Sequence, residues 1–531
     1  MKQSFRMGEF FLVELTKKYI HQDCQKGRAF SQITLDDDFN VPDSKPDVIR
    51  LIQERGEIKL EETTLTAGHI WLKGVLRFQI LYRSDSEEHK VDSFSGEIPF
   101  QESLAIDSID EYDTARVRWQ VEDLSVSMIN SRKLSVRALV QLLAAVDELQ
   151  EVEAAVGAQA EEGMETLEKT HTILQLTEAR KDTWRYKEEI MLPSNKPNIR
   201  QVLWKSVQLR GVETRLSENQ IAIKGEAMVF VLYLGEEEEG RLEWLETSLP
   251  FTGAVECGGA NEDQLLDLSH AVAAVELEPK PDYDGEERML HLELVLDLDI
   301  RIYQEEQIQL LEDVYSIHSQ LLPEFVPTVF ERLLMKNASK CKVSQRVAVG
   351  ENQEGILQLC TGEGAVAIDQ VEVTQDGLVV EGTLAVQILY ITADDRMPLS
   401  SLRETIPFHH MVEAPGMTPQ CRYQLECSLE QMTTVMLEGT QVEVKAVIGL
   451  SAIVFEQNPA QRLVNVGEEP LNLEQLQESP GIIGYIGRAG DRLWDIAKEN
   501  YTTISDIKET NHLADDILKG GEKILIIKKV G

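Results

Sequence analysis

Few side chains in this 531-residue chain could do covalent or metal chemistry, and they are poorly grouped. His409 and His410 form an adjacent histidine pair that could begin a metal site. On an extended chain, however, neighbouring side chains point to opposite faces and cannot share an ion. The acidic runs "EEEEG" (236–240) and "DEYD" (110–113) could catch calcium, but they read as solvated loops. "GEG" at 362–364 is a fragment of a dinucleotide fingerprint without the rest of it and reads as a turn. The six cysteines, Cys24, Cys257, Cys341, Cys360, Cys421 and Cys427, include no C-x-x-C pair and read as isolated, reduced, apolar side chains. Cys421 and Cys427 share one face of a predicted strand but are too far apart to bond. No catalytic residue, metal or cofactor is expected, and the chain is not expected to be an enzyme.

The elements around these residues point to a binding protein. At this length several domains are required, and 42% hydrophobic with 27% charged residues describes a folded chain. A net charge of -40 would repel a phosphate backbone or an anionic membrane, so nucleic acid is not expected as a partner. Glu9 and Glu14 interrupt the apolar N-terminal patch, and no stretch approaches a membrane span. The expectation is a cytosolic protein that does not insert into a membrane.

One pattern recurs three times. "LKGVLRFQILY", "IKGEAMVFVLY" and "VEGTLAVQILY" carry Gly74, Gly225 and Gly382 eight residues before Tyr82, Tyr233 and Tyr390. Each tyrosine is followed seventeen residues later by Pro99, Pro250 or Pro407 within "IPF" or "LPF". Lys45-Pro46 and Lys196-Pro197 lie at matching offsets upstream, and the third copy has lost this pair. Such a register, held over intervals of 151 and 157 residues, implies homologous domains at 10–150, 165–305 and 325–457. Strict alternation marks the glycine-bearing segment as a strand, and a glycine within it implies a bulge or a close backbone approach. The segments "DVIRLIQE" and "NIRQVLWK", each just after a proline, predict one short helix per repeat. Residues 147–169 have helix-forming composition and read as a charged connector. The fold class is mainly β, α+β overall.

This arrangement of P-x-x-K-P-[DN], glycine, tyrosine and P-F resembles the SPOCS domains of SipL-type spore-coat assembly proteins. The resemblance implies a non-enzymatic scaffold in the mother-cell cytosol at the forespore surface. Its implied partners are the ATPase that forms the coat basement layer and other coat proteins.

Residues 458–481 read as a linker. The following segment, 482–531, orders as β-α-α-β and resembles a LysM domain through Tyr485, Gly490-Asp491, Leu493-Trp494, Asn511 and Gly521. Thr503 with Asp506 makes a capping box. LysM modules commonly bind N-acetylglucosamine polymers through two loops, which map here onto Gly490, Asp491, Arg492 and Leu493, and onto Asn511, His512, Leu513 and Ala514. Arg492 stands where glycan binders usually carry a small hydroxyl residue, which shifts the expectation from sugar toward protein. Residues 484–531 carry eight cations and eight acidic groups, so the repeats hold the entire net charge. The alternative function is a peptidoglycan-binding accessory protein.

Overall fold

The computed structural model describes residues 11–86, 90–159, 163–236, 241–350, 353–471 and 480–528. Each repeat is a sandwich of two three-stranded antiparallel sheets around one apolar core. In repeat 1, β3 (Val48–Thr66), β4 (His69–Ser84) and β5 (Val91–Ala105) form a meander. The facing sheet has the order β2 (Leu15–Asn40), β7 (Lys133–Ala158), β6 (Thr114–Asn130), so the first and last strands of the repeat lie side by side. Repeat 2 matches it with β9 (Ile199–Ser217), β10 (Gln220–Gly235) and β11 (Leu242–Glu256) over β8 (Met164–Met191), β13 (Glu287–Ser316) and β12 (Leu265–Pro281). Repeat 3 does so with β15 (Ile356–Val373), β16 (Gly377–Thr392) and β17 (Leu399–Glu413) over β14 (Ser319–Ala348), β19 (Gln441–Pro470) and β18 (Arg422–Glu438). A short β1 (Phe11–Leu12) pairs with β19.

The helix predicted in each repeat is absent: Val48–Thr66 and Ile199–Ser217 are strands. Two β-bulges explain the misreading. The ladder skips Ile49 and Ile52 in repeat 1, Arg200 and Leu203 in repeat 2, and Leu357 and Cys360 in repeat 3. Each extra residue breaks the two-residue period, leaving Val48, Leu51 and Ile52 at a spacing that imitates a helix. The bulges also do architectural work. Ile52, Leu203 and Cys360, together with Leu81, Leu232 and Leu389, turn inward into one buried cluster shared by all three repeats. Hydrogen bonds close the ring: Gln79 Nε2 donates to the Leu203 carbonyl at 3.1 Å, Thr361 Oγ1 to Glu246 at 2.8 Å, and Arg403 Nη2 to the Glu54 carbonyl at 2.8 Å.

The signature residues have backbone reasons. Gly74, Gly225 and Gly382 lie directly across the ladder from Phe100, Phe251 and Phe408, the phenylalanines of the P-F motif. A Cβ at these glycines would meet those rings at 2.9, 2.7 and 2.6 Å. At Gly74 and Gly382 it would also strike the carbonyls of Lys59 and Ala367, at 2.6 and 2.2 Å. Tyr82, Tyr233 and Tyr390 are fully buried, and their hydroxyls donate to the carbonyls of Pro46, Pro197 and Glu354 at 3.2, 3.3 and 3.2 Å. Pro99, Pro250 and Pro407 are exposed on the edge strands β5, β11 and β17, where a missing N–H is tolerated. The lysines of the first two copies pair with Asp92 and Glu243, at 2.7 and 2.6 Å. In repeat 3 the equivalents are Gln353 and Ser400, so both halves of the pair have gone together.

Residues 147–158 and 164–169, read as a connector of helix-forming composition, are strand. Likewise 458–470 of the expected linker continue β19, while 472–479 lie outside the described residues. These stretches are the far ends of three long hairpins, β2–β7, β8–β13 and β14–β19. A bulge at Lys26, Thr177 and Leu334 marks where each hairpin leaves its sandwich as a two-stranded ribbon. The ribbons bundle into a stalk around Ile20, Val152, Ile173, Ile308, Leu310 and Phe330. Its composition reads as polar because one face of each ribbon is wet.

At the base of the stalk three equivalent positions opposite Thr114, Leu265 and Arg422 hold Asp147, Tyr303 and Phe455. Different side chains at equivalent sites complete one buried ionic network. Arg301 contacts Asp23 at 2.6 Å and Asp147 at 2.9 Å. Arg116 reaches Asp147 at 2.8 Å and Asp267 at 3.2 Å. Arg422 pairs with Glu331 at 2.5 Å and lies 4.0 Å over the Phe455 ring.

Candidate docking site on the C-terminal domain

The last domain is built from β20 (Ile482–Ile486), α1 (Leu493–Glu499), α2 (Ile504–Asn511) and β21 (Lys523–Ile527). Both helices pack their apolar side chains, including Leu493, Trp494, Ile496 and Ile507, against Ile524 and Ile526. The Thr503 hydroxyl caps α2 by accepting from Asp506 N at 3.1 Å, and His512, at φ 54°, ends it in a left-handed conformation.

The loop after β20 turns at Gly490, where φ is 95°. Asp491 stabilises that turn by accepting from the Tyr485 hydroxyl at 2.6 Å and from Arg488 N at 2.8 Å, which holds its carboxyl below the ordinary carboxylate range. The loop then zips to the stretch after α2. Gly490 N donates to Leu518 O at 2.9 Å, Leu518 N to Asp491 O at 2.8 Å, and Leu493 N to Asp516 O at 2.8 Å, with Arg492 facing Ile517. The two loops therefore form one continuous surface.

The expected site residues separate into two groups. Gly490, Arg492, His512 and Ala514 are exposed, and Asp491 is half-buried. Leu493 is fully buried in the core and cannot face a partner. Leu513 is half-buried against the same core. Asn511 is occupied: its amide donates to Ile507 O and Leu525 O and accepts from Leu525 N, tying α2 to β21. Ile517, 57% exposed between the loops, was not expected at the site. An isoleucine beside a leucine in "DDILKG" gives no sign of which of the two is buried.

The domain is clamped to the ribbon of repeat 2. Asp313 accepts from Trp494 Nε1 at 3.0 Å and from Lys498 Nζ at 2.7 Å. The Tyr315 hydroxyl donates to Thr502 O at 2.9 Å, and its ring meets the Trp494 ring edge-on at 4.9 Å. Trp494, 3% exposed, thus serves the core and the interface together. Asp495 pairs with Arg492 at 2.9 Å, and this carboxylate, with Glu312 and Asp313 behind it, holds the guanidinium firmly protonated.

Fold and site together define a tandem β-sandwich protein that carries a small βααβ domain at its C-terminal end. Residues 47–129, 198–280 and 355–437 match the family model described as SipL, SPOCS domain, and residues 488–526 match the LysM domain. The chain is therefore a SipL-type protein: three SPOCS domains followed by a LysM domain. The matched stretches start 151 and 157 residues apart, which is the register of the glycines, and the third includes the copy without the K-P pair. No curated protein and no solved structure matches the chain. The two acidic runs and the histidine pair lie away from this domain. Residues 110–113 form a turn in which Asp113 accepts from Lys26, and His410 contacts the Ser339 hydroxyl at 3.0 Å. Residues 237–240 of "EEEEG" lie outside the described residues.

Proposed function

We propose that this protein is a non-enzymatic morphogenetic scaffold of the spore envelope, working from the mother-cell cytosol at the forespore surface. Its LysM surface docks on the ATPase of the coat basement layer, and its SPOCS ring gathers other coat proteins. The reading rests on one observation above the others: the LysM domain is held to the stalk by Asp313 and Tyr315, so a partner gripping it would be held in fixed geometry relative to the ring. The loop surface, with Arg492 beside exposed Ile517, offers a cation and an apolar contact to a protein. No helix of the described residues is long and apolar enough to cross a membrane.

The LysM match itself supports a second reading, in which the same loops hold N-acetylglucosamine polymers of peptidoglycan. The two are separated by one pair of variants of the full chain. Arg492→Glu and Ile517→Asp should each weaken capture of the coat ATPase roughly tenfold or more and disperse the protein from the forespore, with circular dichroism unchanged. Micromolar affinity for chitin oligomers or purified peptidoglycan in calorimetry, lost in the same variants, would replace the scaffold reading with the second.

A further inference from the structure

The two edges of the small C-terminal sheet are treated differently. In the β20–β21 ladder Gly481, Ile483, Tyr485 and Gly487 pair inward with Lys528, Ile526, Ile524 and Glu522. The main-chain groups of Leu525 therefore point to the outer edge of β21, where Asn511 takes both the N–H and the carbonyl. That edge is closed. By the same parity Ile482, Gly484 and Ile486 point outward from β20, and among the described residues their N–H and carbonyl groups have no partner. Among the described residues neither a charge nor a proline guards this short edge, since "IIGYI" contains neither. A Cβ at Gly484 would meet nothing within 4 Å, so the outer sheet face beside the middle of the strand is open. The outer sheet face beside it carries Ile482, Ile486, Leu525 and Ile527, which are 64, 69, 43 and 43% exposed.

We infer that β20 is a strand-addition site for an extended segment of a partner protein, with apolar residues at alternate positions and an acidic residue flanking them. Main-chain bonds to Ile482, Gly484 and Ile486 would supply the affinity, and the alternating side chains would lie against the exposed isoleucines. Local charge selects the acidic flank. Lys523 and Arg488 stand at one end of β20 and Lys528 at the other, whereas Asp491 and Glu522 are taken up by neighbouring donors. At physiological ionic strength charges beyond about 8 Å are largely screened, so these cations govern the contact. A second copy of the chain is the weaker candidate, because it brings another net charge of -40. The site is separate from the Arg492–Ile517 loops and goes beyond the reading of them given above.

A labelled nonapeptide of alternating valine and threonine with glutamate at each end serves as the probe, titrated by anisotropy into the full chain. Binding should protect the amides of Ile482, Gly484 and Ile486 from hydrogen exchange. Gly484→Pro removes an outward N–H and leaves the inner ladder intact, and should weaken binding at least tenfold. Ile486→Lys, which places a charge on the edge without altering the backbone, should do the same should proline disturb the domain. Arg492→Glu and Ile517→Asp should leave peptide affinity unchanged, so that failure here and failure of the loop reading are distinguishable. Three outcomes overturn the inference: binding that survives both edge variants, protection confined to other residues, or a concentration-dependent dimer in sedimentation that Gly484→Pro abolishes.

Discussion

Gly74, Gly225 and Gly382 are held by two kinds of neighbour, and the difference can be measured. At Gly225 the hard contact for an added methyl is the Phe251 ring, with Val212 Cα at 3.3 Å; at Gly74 and Gly382 a carbonyl oxygen blocks it as well. Alanine should therefore cost about 1–3 kcal/mol at each position, the usual range for overpacking. Phe251→Leu should recover part of the loss in Gly225→Ala, while Phe100→Leu should recover little in Gly74→Ala. Urea midpoints of the two double variants check this. Tyr82, Tyr233 and Tyr390 belong to the same scale. Burial pushes the pKa of each hydroxyl up, and each remains a donor to a main-chain carbonyl. Because the acceptor is backbone, repeat 3 keeps its tyrosine contact with Glu354 where Lys-Pro has been lost. The glycine-to-tyrosine register was legible in the sequence for that reason. These residues answer to backbone geometry, which leaves almost no freedom in spacing, whereas the lysine answers to one acidic partner and changes with it.

The elements were half legible. Strands with an unbroken two-residue period, such as β4, β10 and β16, announce themselves, with alternate residues buried in the core. The segments opening β3 and β9 do not, since the bulges that send Ile52 and Leu203 inward also scramble the period. The ribbons were hidden differently. Glu and Gln crowd their wet faces, and the small apolar residues facing the stalk, Val152 and Ala154 among them, are too few to outweigh a helix-like composition. At the C-terminal domain the loops were legible from spacing, but which side chain faces out was not: Leu493, expected in the exposed loop, is buried, and Ile517, which the letters do not single out, is exposed. The clamp onto ribbon 2 joins residues far apart in the chain, and nothing local encodes it. It is also the element most open to test. Asp313→Ala removes the acceptor of both Trp494 and Lys498, and should raise hydrogen exchange at Leu167, Tyr315 and the α1 amides together by tenfold or more, taking about 1.4 kcal/mol as tenfold in an opening equilibrium. Exchange in the three sandwich cores should stay unchanged. Tyr315→Phe, which keeps the ring against Trp494, should have a smaller effect, about that of one hydrogen bond.

Across the whole molecule the three repeats are equivalent in fold and different where they meet. The ionic network at the base of the stalk is the clearest case, since Asp23, Asp147, Arg301 and Arg422 come from all three repeats and each is buried. Burial alone would raise the Asp23 pKa, but the guanidiniums of Arg422 and Arg301 and the Tyr303 hydroxyl outweigh it and hold the carboxyl below its ordinary value. A carboxylate lowered in the folded state contributes stability that is complete above its unfolded value of about 4 and is lost as pH falls through the folded value. Asp23→Asn should thus cost about 3–5 kcal/mol near neutral pH, and the gap from wild type should narrow on acidification below about pH 4. Urea unfolding at both pH values measures it. One further feature concerns time. β1 pairs with Gly467 and Glu468, so the first of the described strands is hydrogen-bonded to the stalk end of β19. At roughly 5–20 residues per second of synthesis, the N-terminal strand must wait on the order of half a minute or more for its partner to leave the ribosome. Repeats 1 and 2 can each close on their own strands during that wait, and the stalk is completed only when β19 arrives, so the assembled surface exists only on chains that extend through that strand.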